Sequence, residues 1–224
     1  MCISTGKYPD LLKRSNITPI YKQKGSKSDI KNYRGISIEP IISKLFQSII
    51  KDHLILHIDK LICDEQHGFL PGRSTASNLV CYNDYISKQL ENKSQVHSVY
   101  TDFRKAFDVV PHGLLLEKIY CHFRFRNNIL SLFENFLCDR YQRVVIEGFE
   151  SAWTLVTSGV PQGSILGPYL FIMYINDLPR QMKYSNCLLF ADDGKFFKCS
   201  CPYGQKHYFC ECNIIGLSIK PKKM

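Results

Sequence analysis

The stretch LLFADDGKFFK, residues 188–198, sets two adjacent carboxylates and a glycine between two apolar runs. Asp-Gly between hydrophobic residues predicts a tight β-hairpin with the Asp193-Gly194 pair at its turn. The same spacing puts two like charges, Asp192 and Asp193, at the tip of the apolar strand Cys187–Phe190. Such charges repel one another in water, yet suit a divalent cation. The rest of the chain decides between a plain turn and the rim of an active site.

Composition narrows the choice. The chain has 224 residues, 45% hydrophobic and 22% charged, as in an ordinary globular protein. Twenty-nine Lys and Arg against 20 Asp and Glu give a net charge of +9. That excess favours a polyanionic partner, nucleic acid or an acidic membrane surface. The longest apolar run, Tyr169–Ile175, falls short of the roughly 18 residues of a spanning helix. The N-terminus lacks the apolar core of a secretory signal, so an intracellular protein, nuclear and cytoplasmic, is expected. The ten cysteines are mostly isolated, as in reduced intracellular thiols. Two C-x-C pairs, 199–201 and 210–212, flank His207 and raise the question of zinc. The spacing is not the usual C-x2-C, and incidental cysteines are the preferred reading.

Residues 13–34 hold seven cations against one acid around a short strand, Ile17–Tyr21. They predict either a solvated loop or a hairpin reaching toward phosphates. Ile42, Leu45, Phe46, Ile49 and Ile50 follow the helical i, i+3, i+4 rule and predict an amphipathic helix with that stripe inward. After the PGRST turn a second helix is expected, with Ala76, Leu79, Val80, Ile86 and Leu90 inward. Val96–Phe103 predicts a buried strand ending in TDF. Helices His112–Phe123 and Asn127–Cys138 follow, then a hairpin of Arg143–Ile146 and Trp153–Val156 around Gly148. SGVPQGS reads as a loop before a helix, Ile165–Asn176, with Pro168 in its early turns.

Two strand ends thus carry acids: Asp102, and Asp192 with Asp193. If those strands are neighbours in an antiparallel sheet, the three carboxylates converge at one rim. Hard oxygen ligands on rigid strand ends suit Mg2+. Two such ions can clamp the attacking and leaving oxygens of a phosphoryl transfer.

The ordered motifs resemble the reverse transcriptase domain of non-LTR retrotransposons of the jockey-like, long-interspersed-element type. The resemblance runs from about Tyr8 to Lys223. ITPIYKQKG and NYRGIS are similar to the fingers blocks, and EQHGFLPGRST to the block that ends in G-R-S-T. YTDFRKAFD (100–108) is similar to motif A, SGVPQGSILGP (158–168) to motif B, FADD (190–193) to motif C, and GLSIKPKK (216–223) to motif D. What the resemblance implies is an α+β, right-hand polymerase fold without a thumb. Fingers would occupy 1–95 and the palm 96–224, the antiparallel palm sheet being backed by helices.

The implied activity is template-dependent transfer of a deoxynucleotide to a primer 3′-hydroxyl, with an RNA template, a DNA primer and dNTPs as partners and no membrane. The implied cofactor is a pair of Mg2+ ions, with Mn2+ as a substitute. Asp102, Asp192 and Asp193 fall at the catalytic positions, and these acids with the adjoining Phe103 at the metal-holding ones. Lys22 and Arg34 resemble cations that grip the triphosphate, where an arginine fork suits phosphate oxygens. Arg73 resembles a template-backbone contact, with a helix-capping turn as the other reading. Phe107 falls at the steric gate against a ribose 2′-hydroxyl, with core packing as the other reading. Gln162 and Gly163 fall at the template–nucleotide contact, and Lys223 at the lysine that protonates pyrophosphate.

The chain departs from the family pattern at Gly35, where proline is usual and glycine is expected to loosen the strand. It departs again at Lys198–Asn213, which is shorter than the usual palm helix. A truncated, catalytically inactive remnant that binds only nucleic acid is therefore the alternative reading.

Overall fold

The computed structural model describes residues 2–200 and 219–221. The chain folds as two compact units, each assembled from two separate segments: residues 1–58 with 107–174, and residues 59–106 with 175–224. The division between fingers and palm is expected after residue 95. That point lies inside the second unit, where a helix and a strand on either side of it are joined by packing.

The first unit begins with a short helix α1 (Cys2–Thr5) and strands β1 (Arg14–Tyr21) and β2 (Tyr33–Ile38). The long helix α2 (Ile41–Ile58) follows directly. Helices α4 (His112–Cys121) and α5 (Asn127–Leu137) and strands β4 (Tyr141–Ile146), β5 (Phe149–Glu150) and β6 (Thr154–Leu155) complete it. Its sheet runs β2-β1-β4-β5, with β6 also on β4. The β1–β4 pair is parallel and the others are antiparallel. Gly35 does not interrupt β2: it stands opposite Pro19 in an unbroken register, so the expected loosening is absent. Between β4 and β5 the Glu147-Gly148 loop has positive φ at both residues, the geometry that matches the strand twist of a two-residue hairpin.

The second unit holds α3 (Thr75–Glu91), β3 (Gln95–Phe103), β7 (Asn186–Phe190), β8 (Asp193–Ser200) and β9 (Ile219–Pro221). Its sheet order is β7-β8-β3-β9, antiparallel throughout. Helix α6 (Gly167–Ile175) spans the boundary between the two units in sequence. Leu170, Phe171, Ile172 and Met173 in it are fully buried, as a helix apolar on every side requires. Among the described residues no helix is long and apolar enough to cross a membrane.

Two helical faces differ from the periodicity. In α2 the buried residues are Ser43, Gln47, Ile50, Leu54 and Ile58, whereas Ile42, Leu45 and Ile49 are exposed. The helix carries apolar residues on more than one side, and a buried polar network chose the inward one. Glu39 and Arg140 form an ion pair closed to solvent, 0% and 2% exposed. Gln47 Nε2 donates to Glu39, to Ser43 Oγ (2.9 Å) and to Tyr8 Oη (3.3 Å). In α3 the inward residues are Asn78 and Tyr82, with Tyr85 and Ile86 half-buried, while Leu79, Val80 and Leu90 face out. Here the sheet face presents Leu188 and Phe197 beside Ser98 and Lys195, so aromatic and amide side chains fit it better than leucines do.

Candidate active site

The antiparallel register of β3 and β8 sets Asp102 directly opposite Asp193, and Thr101 opposite Gly194. Directly opposed residues project to the same face of a sheet, with Cβ atoms roughly 5 Å apart. Like charges so placed destabilise the pair unless a cation lies between them. Phe190 pairs with Asp193 across the hairpin, so the turn is Ala191-Asp192 rather than Asp193-Gly194. Ala191 adopts φ +55°, a conformation that glycine takes more readily, and Gly194 lies within β8. The hairpin is therefore as expected but its turn is displaced by two residues, which lifts Asp192 onto the loop. Phe103 is buried, and its amide donates to the Asp192 carbonyl at 3.4 Å, tying β3 to that loop.

Among the described residues no three His, Cys, Asp or Glu side chains are drawn into a ready-made metal cluster. The chemistry of the donor set nevertheless fits a hard divalent cation, since Asp102 and Asp193 are exposed carboxylates on one sheet face with Asp192 adjoining.

Lys195, which the motifs did not single out, lies one pair further along the same face, opposite Tyr100. It is 8% exposed, with Nζ 4.1 Å from the Tyr82 ring centre and 5.5 Å from that of Tyr100. It donates to Asn78 Oδ1 at 3.3 Å, and burial holds its pKa below the ordinary lysine value. A lone cation inside the apolar run GKFF was the available signal.

Arg73 is spent internally. Its Nη1 donates to the carbonyls of Cys63 (2.8 Å), Gln66 (2.8 Å) and Asp64 (3.2 Å), and Nη2 meets the Asp64 carboxylate at 3.3 Å. The Arg73 amide closes a turn on the Leu70 carbonyl at 3.3 Å, and helix α3 then starts at the Ser74 cap, whose Oγ accepts from the Ser77 amide while Ser77 Oγ accepts from the Ser74 amide.

The first unit gathers the other positions. Phe107 is half-buried and stacked on Phe171, ring centres 4.6 Å apart. The Gln162 carbonyl accepts from the Ser37 amide of β2 at 2.7 Å. Gly163 has φ +115°, and a Cβ there would lie 2.7 Å from the Ser37 carbonyl oxygen, so only glycine fits without displacement. Gln47 Oε1 accepts from the amides of Ile165 (2.9 Å) and Leu166 (3.2 Å), anchoring the far end of the same loop to the buried Glu39–Arg140 pair. Lys22 and Arg34 are exposed at the distal end of the β1–β2 hairpin. Lys223 lies outside the described residues, as does most of the C-x-C segment. At the backbone level, Lys220 of β9 is the register partner of Asp102.

The family model for reverse transcriptase (RNA-dependent DNA polymerase) matches residues 21–223. The chain belongs to the reverse transcriptase family. This reverse transcriptase domain is 29% identical over 179 residues to the RNA-directed DNA polymerase from mobile element jockey of Drosophila melanogaster, covering 79% of the chain and 19% of that relative. It is 31% identical over 192 residues to the probable RNA-directed DNA polymerase from transposon X-element of the same organism, covering 83% and 21%. The domain thus spans about a fifth of the length of these relatives. Among solved structures it is similar to telomerase from Candida tropicalis in complex with the TWJ fragment of telomeric RNA, with a TM-score of 0.64 at 14% identity over 86% of this chain and 37% of that one. The apo telomerase truncated from its C-terminal domain gives a TM-score of 0.60 at 17% identity, over 84% and 44%. At these identities the likeness concerns the fold, which is α+β with the fingers and palm elements of reverse transcriptases.

Proposed function

We propose that this domain forms the polymerase centre of a mobile-element RNA-directed DNA polymerase, adding deoxynucleotides to a primer 3′-hydroxyl along an RNA template and releasing pyrophosphate. The observation that carries the reading is Asp102 directly across from Asp193, with Asp192 on the adjoining two-residue loop. Asp102, Asp192 and Asp193, with the Phe103 carbonyl, would hold two Mg2+ ions, Mn2+ substituting. When bound, such ions neutralise phosphate charge and make the attacking hydroxyl more acidic.

The chain's own side chains then have separate tasks. Lys22 and Arg34, exposed on a hairpin dense in cations, attract the triphosphate and the template backbone. Phe107, held flat by Phe171, presents a rigid ring that crowds a ribose 2′-hydroxyl. Gln162 and Gly163, fixed to β2 through Ser37, offer side chain and bare backbone to the template–nucleotide pair. Lys223 delivers a proton to departing pyrophosphate. The matching family model, described as an RNA-dependent DNA polymerase, supports an RNA strand as the template.

The test is extension of a DNA primer annealed to RNA in Mg2+, using the intact chain. Asp192→Asn is expected to lower the rate by roughly a hundredfold or more, as removal of a principal electrostatic stabiliser does. Unchanged extension by Asp192→Asn overturns the reading. Salt-sensitive RNA binding without extension by the wild type would reduce it to nucleic-acid binding alone.

A further inference from the structure

We propose that Gln66 is a positioning residue of the polymerase centre: its buried side-chain carbonyl holds the Ala191 turn and thereby sets where Asp192 stands beside Asp102. The inference rests on the reading that these acids hold divalent cations.

Gln66 is 1% exposed, and its Oε1 accepts from the Ala191 amide at 2.9 Å and from the Gly68 amide at 2.8 Å. Both partners are N–H groups, so the atom facing them must be the carbonyl oxygen. Its Nε2 is buried and has no hydrogen-bond partner among the described residues. A buried donor left unmade is costly, and natural structures keep few of them. The amide is therefore retained for its acceptor, which the turn uses.

The surrounding backbone makes that acceptor rigid. The His67 amide donates to the Leu189 carbonyl at 2.9 Å and the Leu189 amide to the Glu65 carbonyl at 2.8 Å, so residues 65–67 form a short parallel rail along β7. A Cβ on Gly68 would lie 2.4 Å from the Ala191 nitrogen, so the rail touches the turn with no room to spare. Behind it, Arg73 gathers the Cys63, Asp64 and Gln66 carbonyls. The loop before Asp192 is thus gripped at the Ala191 amide by Gln66, while the Asp192 carbonyl is gripped by Phe103. Ala191, held at φ +55° without being glycine, needs such an outside constraint.

The experiment measures Mn2+ binding to the intact chain from the loss of the free-ion EPR signal, alongside Tm and the Mg2+ dependence of primer extension. Asp192→Asn reports on the centre itself. Gln66→Met removes the acceptor at similar volume, Gly68→Ala pushes the turn from the same side, and Leu178→Ala, a buried residue outside the rail, supplies a control for lowered Tm. Gln66→Met and Gly68→Ala are expected to weaken Mn2+ binding about 10- to 100-fold, the loss typical of outer-shell partners, and to raise half-saturating Mg2+ with the KM for dNTP unchanged. Leu178→Ala is expected to lower Tm and leave Mn2+ affinity as in the wild type. If the wild type binds no Mn2+, or Asp192→Asn leaves binding unchanged, the metal-centre reading falls and the inference with it. If Asp192→Asn weakens binding while Gln66→Met and Gly68→Ala bind as the wild type, only the inference is overturned. An equal loss in Leu178→Ala also overturns it, because the effect would then be general loosening.

Discussion

Arg140→Leu removes the cation from a pair that has no access to water. Glu39, its partner, is 0% exposed, and after the change its carboxylate would keep, among the described residues, the Gln47 and Ser43 donors. The guanidinium also donates to the Phe136 carbonyl at 3.3 Å and lies 4.8 Å from the Phe136 ring, and the substitution abolishes both interactions. Removing one partner of a buried ion pair costs about 3–5 kcal/mol. That is a large share of the roughly 5–15 kcal/mol that stabilises a typical domain. Replacing both partners with apolar residues of similar volume is far milder, since no buried charge is left behind. Urea unfolding of the wild type, Glu39→Leu, Arg140→Leu and the double variant therefore forms a decisive cycle. Each single change should lower stability by about 3–5 kcal/mol, and the double by clearly less than their sum. The double variant should still show a raised KM for dNTP, because Gln47 loses the carboxylate that orients its grip on Ile165 and Leu166. Additive single changes, or a cost of under about 1 kcal/mol for Arg140→Leu, would refute this account of the network.

Two further outcomes follow from groups in the second unit. Burial holds the His67 imidazole below its ordinary value of 6.5, with the Arg73 and Lys195 cations adding to the effect. The unfolded chain then binds the proton more readily than the folded one, so this contribution is full above about pH 6.5 and is lost as pH falls toward the lower folded value. Urea midpoints should drop more between pH 7.5 and 5.0 for the wild type than for His67→Gln; parallel pH profiles would contradict it. Burial, with Glu65, also pushes the Cys63 thiol up to about 11, and burial raises that of Cys187 well above the usual range, whereas Cys81, Cys121 and Cys199 are exposed. Brief alkylation at pH 8 followed by peptide mapping should label the exposed three and spare Cys63 and Cys187, because only thiolates react quickly. Labelling of Cys187 at the rate of Cys81 would count against its burial.

Local patterns carried much of what was legible beforehand. The apolar run before FADD, the TDF strand end and the GRST cap are short-range signals, and they placed β7, β3 and the start of α3. The inward faces of α2 and α3 differ from the apolar stripes because both helices carry apolar residues on more than one side. Ser43, Gln47 and Asn78 became interior through partners distant in sequence: Tyr8 for the first two, beside a Glu39 carboxylate held by Arg140 from 101 residues away, and Leu189 with Lys195 for the third. Arg73, expected from its motif at the template backbone, donates to the carbonyls of its own loop, contacts that no local pattern announces.

By itself, then, the sequence determined the kind of chemistry, because carboxylates at strand ends and glycines in tight loops are set by residue type and near neighbours. Tertiary structure alone decided how those residues are used. Pairing across some 90 residues put Asp102 opposite Asp193, moved the turn to Ala191-Asp192, and brought Gln66 to that turn over 125 residues. Such choices depend on register and on which buried polar groups find partners, and neither quantity is written in any local stretch of chain.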